Sequence, residues 1–344
     1  MARALDVKSM GQLAESSPLT FIDLFAGIGG MRLAFESQGF RCVFSSEIDE
    51  PCRKMYEANF GERPYGDIRQ IDAADIPDHD VLLAGFPCQP FSIMGKGLGL
   101  VDTRGTLFFE IERILKAKRP RAFLLENVKQ LRGNDKGRTL KVILSTLKGL
   151  GYHVDWKILN CLDFGLPQKR ERLFIVGFQN DCAFQFPSRG EGPSKTLADI
   201  LEENVSKKYF LSDAIRKKRL QAHTSPFHPG IWHENKSGHI SSYPYSCALR
   251  ASASHNYLVV DGVRRLTPRE CLRLMGFPDT FKIVVSDAQV RKQAGNSVCV
   301  PLVAAIARRM KEILIRKETV AEMGPIFALG SQMEGDACHA HSRG

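Results

Sequence analysis

The nine cysteines of this 344-residue chain include no Cys-x-x-Cys pair. That spacing carries zinc ribbons and dithiol redox motifs, so its absence argues against both. Long apolar runs are missing as well: none approaches the roughly 20 residues that a membrane-spanning helix needs. The N-terminus lacks the apolar stretch of a signal peptide. Scattered thiols without such a leader predict reduced cysteines and a cytoplasmic location, with no membrane partner. No internal repeat is visible, and acidic residues are the minority, 38 against 48 Lys and Arg, for a net charge of +10. A basic excess suits a polyanion, nucleic acid before an anionic membrane, although a merely basic soluble protein has the same balance. The length suffices for one large domain and a smaller one.

Strands and helices alternate through the first half. "LTFIDLF" (19–25), "CVFSSEID" (42–49), "DHDVLLAGFP" (78–87) and "RAFLLENV" (121–128) read as strands. Helical spacing falls at 31–40, 51–59, about 105–118 and 139–150. This rhythm predicts an α/β doubly wound, Rossmann-like sheet. "HVDWKILN" (153–160) and "RLFIVGF" (172–178) have no helix between them, which predicts an antiparallel hairpin edge. From 187 to 265 the rhythm fails, and Lys and Arg outnumber Asp and Glu by 12 to 7. That stretch reads as a second, smaller, irregular β-rich domain. Helical spacing returns at 267–276, with Thr267 as N-cap and Pro268 at the first helical position. Leu302, Ile306, Met310, Ile313 and Leu314 mark a last amphipathic helix. The expected domains are an extension (1–18), a catalytic domain (19–186, completed by 281–316), a recognition region with hinge (187–280) and a disordered tail (317–344).

"DLFAGIGGMR" follows a strand and opens a helix, the usual place to cradle a nucleotide-like ligand. Gly27 and Gly29 match the first two glycines of the dinucleotide fingerprint, but Arg32 holds the third place. An NAD enzyme is therefore disfavoured. Glu47 ends the next strand, 20 residues after Gly27, where it can accept from ribose hydroxyls. Asp67 closes a third unit and can accept from an adenine amino group. An adenosine with a short carboxylate-bearing tail, as in S-adenosylmethionine, suits this order better than a dinucleotide.

Cys88 stands between Pro87 and Pro90 in "AGFPCQPFSIMG". Alone it reads as a core thiol, since free cysteine is among the most buried residue types. At the carboxyl end of a strand, between two φ-restricting prolines, it also reads as a presented nucleophile. Glu126 ends "LLENV", where desolvation would raise its pKa and let it hold a proton. Arg170 and Arg172 alternate in "QKRER", on one face of an extended segment or on a solvated rim. A thiolate adding to C6 of cytosine turns C5 into a nucleophile. The addition needs a group at N3 and a positive charge at O2, and Cys88, Glu126 and Arg172 supply those roles.

These residues lie in nine ordered blocks that resemble the DNA (cytosine-5) methyltransferases, in particular the bacterial restriction–modification enzymes. The blocks are "FIDLFAGIGGMRLAF", "SSEID", "GDI", "AGFPCQPFSIMG", "DTRGTLFFEI", "LLENV", "FGLPQKRERLFIVGF", "RRLTPRECLRLMGFPD" and "KQAGNSVCVPLV", spread from about 20 to 316. The resemblance implies Cys88 as nucleophile, Glu126 at N3, and Arg172 at O2 with Arg170 in support. It implies an S-adenosylmethionine site from Phe25, Gly27, Ile28, Gly30, Glu47, Ile48, Asp67, Ile68, Gly85, Pro87, Leu107, Asn296, Ser297 and Val298. Double-stranded DNA is the implied partner of a monomer, with a cognate restriction endonuclease as a possible counterpart. Gln89, Ser92, Met94 and Arg250 are the expected DNA contacts. Two departures stand out: Ala248-Leu249 occupies the place of a Thr-Leu pair, and Met94 that of a small polar residue.

Within the expected recognition region, "RKKR" (216–219) suits phosphates and 250–256 suits base edges. His223, His228, His233 and His239 are spaced by five, five and six, which does not stack them on one helix face, so no metal is expected. Two further readings stay open: a tRNA cytosine methyltransferase of the same fold, and a non-catalytic DNA-binding regulator.

Overall fold

The computed structural model describes residues 17–87, 107–190, 194–235, 237–251 and 257–322. A six-stranded sheet organises the chain. Its strands are β1 (Thr20–Leu24), β2 (Arg41–Ser46), β3 (Val81–Gly85), β4 (Ala122–Val128), β5 (His153–Asn160) and β7 (Glu171–Phe178), in the order β2-β1-β3-β4-β7-β5. The first four run parallel, and β7 pairs antiparallel with both β4 and β5. The expected antiparallel edge is thus present. β1, β3 and β4 are nearly continuous apolar runs because helices cover both faces of the sheet.

One face carries α1 (Gly30–Glu36) and α8 (Val300–Glu322), around Phe21, Phe35, Leu83, Val303, Ile306 and Met310. The other carries α3 (Leu107–Lys118) and α4 (Arg138–Gly149), around Ile22, Leu82, Phe108, Ile111, Ile143 and Leu147. α8 continues to Glu322, beyond the expected start of a disordered tail at 317. Its sequence contains no helix breaker until Gly324-Pro325.

The irregular region holds a small antiparallel sheet in the order β12-β11-β8-β9, from β8 (Ile231–Glu234), β9 (Ile240–Tyr243), β11 (Leu258–Val260) and β12 (Arg264–Arg265). A two-residue parallel pairing, β6 (Gln168–Lys169) with β10 (Ser246–Cys247), ties it to the main fold. A third apolar cluster joins Ile28, Cys52 and Met55 to Ile231, Leu258, Leu272, Val290 and Ala294. It brings α2 (Glu50–Phe60), α6 (Pro268–Arg273) and α7 (Asp287–Asn296) together with the small sheet. The residue order predicts no element at α7, nor at α5 (Asp213–Ala222). Both are rich in charged and amide side chains and carry little apolar periodicity.

α6 starts as expected, with Thr267 as N-cap and Pro268 in its first turn. Glu270 completes a capping box and is fully buried. Its carboxylate accepts from the Thr267 backbone N–H at 2.8 Å, the Glu202 N–H at 2.9 Å and both terminal nitrogens of Arg264 at 2.9 and 2.8 Å. One carboxylate therefore clamps three segments. Glu270→Ala leaves the Arg264 guanidinium buried without its partner, and we expect a loss of about 3–5 kcal/mol in urea unfolding. A loss below about 1 kcal/mol would show that the clamp adds little.

Candidate active site

A cavity of about 490 Å³ opens at the carboxyl ends of β1 to β4, as expected for an open α/β sheet. Phe25 leaves β1 with φ 57°, followed by Gly27 at 56° and Gly29 at 81°. These left-handed positions bend the chain into the start of α1, and Phe25 is a non-glycine residue held there. Gly29 has a second constraint: a Cβ there would lie 2.3 Å from the ring of Phe60. Arg32, which breaks the dinucleotide fingerprint, is buried between α1 and α2. Its guanidinium lies 4.5 Å from the centroid of the Phe60 ring and donates to Glu36 at 2.7 Å and Glu62 at 3.2 Å. The third fingerprint position thus joins two helices instead of admitting a pyrophosphate.

Glu47, just beyond β2, reaches back to the glycine turn. Its Oε2 accepts from the Gly27 N–H at 2.8 Å and its Oε1 from the Asp49 N–H at 2.7 Å. Burial raises its pKa, and those two N–H groups oppose the rise. Asp67 sits beside Ile68 on the same wall, with its carboxylate held by the Arg69 side chain at 2.9 Å and below its ordinary pKa range by that contact. Ile48 is 65% exposed at the rim. Phe25, Ile28, Gly30, Gly85, Pro87, Leu107, Asn296, Ser297 and Val298 complete the expected set, and all line this one cavity.

Glu126 forms part of its floor, at the end of β4, with Arg172 on the neighbouring β7. Arg172 Nε lies 3.0 Å from Glu126 Oε1. Burial pushes the Glu126 carboxyl upward, while Arg172 and then Arg170 pull it down. Arg170 also lines the cavity, but its guanidinium points to backbone. Nη1 donates to the Leu249 carbonyl at 3.0 Å, and Nη2 to those of Gly295 at 3.0 Å and Ser297 at 2.6 Å. The two guanidiniums therefore make different contacts, Arg172 with a carboxylate and Arg170 with backbone carbonyls. The expectations for Cys88, Gln89, Ser92 and Met94 fall outside the described residues. Pro87, the residue before Cys88, is on the cavity wall. Asn127 fixes that approach, its Nδ2 donating to the Phe86 carbonyl at 2.9 Å.

Arg250 stands apart, lining a separate cavity of about 50 Å³ with its guanidinium 4.6 Å from the centroid of the Tyr257 ring. Of "RKKR", Arg219 turns inward to pair with Glu234, while Arg216, Lys217 and Lys218 remain exposed. His223 packs edge-on against Trp232, and His233 against Tyr257.

Several polar residues of the cavity wall lie outside the set expected from the sequence, Asp23, Ser46 and Gln293 among them. Asp23 is buried in β1, where burial pushes its carboxyl up to about 8, and its Oδ2 has no partner. The Ser46 hydroxyl is also buried without a partner, and Gln293 is buried on the same wall, in contact with Cys52. Asp23 had a legible signal, as the one charge in an otherwise apolar buried strand. Gln293 had none, because nothing in the sequence shows that this side of α7 faces inward.

Residues 19–312 match the family described as C-5 cytosine-specific DNA methylase. The type II methyltransferase M.NgoBI of Neisseria gonorrhoeae is 62% identical over 83% of this chain and 90% of its own length. M.HaeII of Haemophilus aegyptius is 62% identical over 84% and 92%. M.HhaI of Haemophilus parahaemolyticus is 43% identical over 84% and 93%. Among solved structures, the S. pombe Dnmt2 methyltransferase shares the fold, with a TM-score of 0.67 at 22% identity, covering 86% of this chain and 99% of its own. With its sheet, its cavity and the family match along most of its length, this chain belongs to the C-5 cytosine-specific DNA methylases.

Proposed function

We propose that this restriction–modification cytosine methylase works by covalent attack of Cys88 on C6 of a target cytosine, with Glu126 and Arg172 holding the base and the cavity at the strand ends seating S-adenosylmethionine. The observation that carries this reading is the Glu126–Arg172 pair, 3.0 Å apart in the cavity that also holds the glycine turn and Glu47. S-adenosylmethionine, when bound, supplies a methyl carbon on a positively charged sulfur. The wall suits such a ligand. The Glu47 carboxylate can accept from ribose hydroxyls, and the partnerless atoms of Asp23 and Ser46 can meet the polar remainder. Phe25, Ile28, Ile48, Ile68, Leu107 and Val298 would enclose the apolar parts. Gly27, Gly30, Gly85 and Pro87 give the backbone close access, and Asp67, Asn296 and Ser297 add polar contacts.

The target carbon is stacked inside duplex DNA, so the cytosine is flipped into the site at a cost of a few kcal/mol. The Cys88 thiolate bonds to C6, and the electron pair displaced towards C5 spreads to N3. Glu126 holds a proton at N3, and Arg172 donates to O2. C5 then takes up the methyl group. Loss of the C5 proton and departure of the Cys88 sulfur restore the ring. Arg170 is a positioning residue in this scheme, since its donors engage carbonyls on either side of the site. Residues 187–280 read the DNA sequence, with Arg216, Lys217 and Lys218 at phosphates. Gln89, Ser92, Met94 and Arg250 contact the DNA, Arg250 from outside the cavity.

Cys88→Ser should abolish methyl transfer while leaving DNA binding within about twofold. A duplex carrying 5-fluorocytosine should trap the native chain as a covalent adduct on adding S-adenosylmethionine. Absence of that adduct in denaturing electrophoresis would refute attack at C6. A second test concerns pH. The Glu126 proton is lost as pH rises through its elevated pKa, whereas the Cys88 thiolate fraction grows with pH, so kcat/KM should be bell-shaped. Glu126→Gln should remove the falling alkaline limb and lower kcat by about 10²–10⁴. A profile whose alkaline limb survives that substitution would remove Glu126 from the proton-holding role.

A further inference from the structure

The two edges of the six-stranded sheet differ. Beside β2, the chain at Tyr65 closes the edge: its N–H donates to the Ser45 carbonyl at 2.8 Å, and its carbonyl accepts from the Glu47 N–H at 2.9 Å. Beside β5 there is no such cover among the described residues. β5 is eight residues long, contains no proline and pairs with β7 in an unbroken register, from His153 opposite Phe178 to Asn160 opposite Glu171. Its outer row of backbone N–H and C=O groups is a template for another strand. Side chains alternate between its two faces. Val154 and Ile158 pack on the apolar cluster beneath α3 and α4, and Trp156 between them is 38% exposed. His153, Asp155 and Lys157 are exposed on the opposite face. Neither Asp155 nor Lys157 has an ion-pair partner among the described residues.

We propose that the β5 edge is an interaction surface for a second copy of this chain, with the two β5 strands pairing antiparallel about Trp156 and joining the two sheets. The strand is self-complementary in that register. Asp155 lies opposite Lys157 of the second copy, Val154 opposite Ile158, and Trp156 opposite its own counterpart. Two-fold symmetry makes each unlike pair occur twice. Unlike charges directly opposite one another stabilise a strand pair, and like charges oppose it. Centring the pair on Asp155 or on Lys157 would set like charges face to face, so the charges select the register centred on Trp156. A fringe of lysines alone would instead blunt the edge. β5 runs in the same direction as β4, since both pair antiparallel with β7. The second copy is reversed, so its cavity opens at the other end of the joined sheet, and neither cavity is covered. A single strand pair is a small interface, so the association is reversible and depends on concentration. It departs from the monomer that the motif resemblance implies.

Sedimentation velocity of the full chain between about 1 μM and 1 mM tests this. The native chain should pass from one to two chain masses within that range. Asp155→Lys and Lys157→Asp each put two like-charge pairs across the two-fold axis, and each should raise the dimer dissociation constant about tenfold or more. An equimolar mixture of the two variants should recover the native association, because each supplies the charge that the other lacks. The double variant Asp155→Lys with Lys157→Asp exchanges both charges and should again pair with itself. That recovery separates charge at the edge from damage to the fold. A native chain that stays monomeric throughout, including one whose edge is taken by residues 1–16 or 323–344, would overturn the proposal. A dimer that survives both single substitutions unchanged would place the contact elsewhere and overturn it too. So would single variants that do not associate when mixed, or a double variant that remains monomeric.

Discussion

One buried guanidinium holds the two halves of the molecule in register. Arg170 is 1% exposed and directs its terminal nitrogens at the carbonyls of Leu249, Gly295 and Ser297, three points far along the chain. Burial, with Arg172 nearby, lowers its pKa to about 10, which still leaves it charged at neutral pH. Two of its acceptors lie at the end of α7, where the helix dipole concentrates negative charge. Gln168 makes a parallel connection, accepting from the Leu249 N–H at 3.1 Å and donating to the Leu274 carbonyl at 2.8 Å. The short segment before β7 therefore joins the sheet, the recognition region and α7.

That junction places the site. Arg172, two residues beyond Arg170, meets Glu126 across the β4–β7 pairing. Gly295 allows the backbone at Arg250 and Ala251 to approach, since a Cβ there would lie 2.5 Å from the Ala251 nitrogen. The Ala248-Leu249 pair lies at this contact. Its backbone does the joining: the Ala248 carbonyl accepts from the Tyr257 hydroxyl at 3.1 Å, and both backbone groups of Leu249 are engaged. The wall facing the cavity is less complete. It keeps a left-handed Phe25, an elevated Asp23 carboxyl and unpartnered polar atoms. Such features are expected where a ligand completes the structure rather than where packing does.

Much of this was legible in the residue order. Apolar runs separated by helical periodicity identified the strands, because a sheet covered on both faces leaves few polar positions. The glycine turn, Glu47 and Glu126 could be found because each lies at the carboxyl end of a strand, where ligands gather in this architecture, whereas Asp67 sits at a short turn with no strand before it. The spacing of 20 residues between Gly27 and Glu47 became a 2.8 Å hydrogen bond. Thr267 and Pro268 announced α6 through local backbone chemistry alone.

What the residue order determined by itself was therefore local and periodic: strands, caps, the turn, and which strand ends carry acids. What only the tertiary structure decided depends on distant partners. Arg170 and Arg172 have the same side chain two positions apart, yet one is surrounded by carbonyls and the other faces a carboxylate. α5 and α7 carry too little apolar pattern to be seen, and contacts with other segments show which of their faces turn inward. Gln293 and Asp23 belong to the cavity because segments far apart in the chain close around them. Periodicity reports which face of an element is buried against apolar neighbours, but not which polar group will be left without a partner.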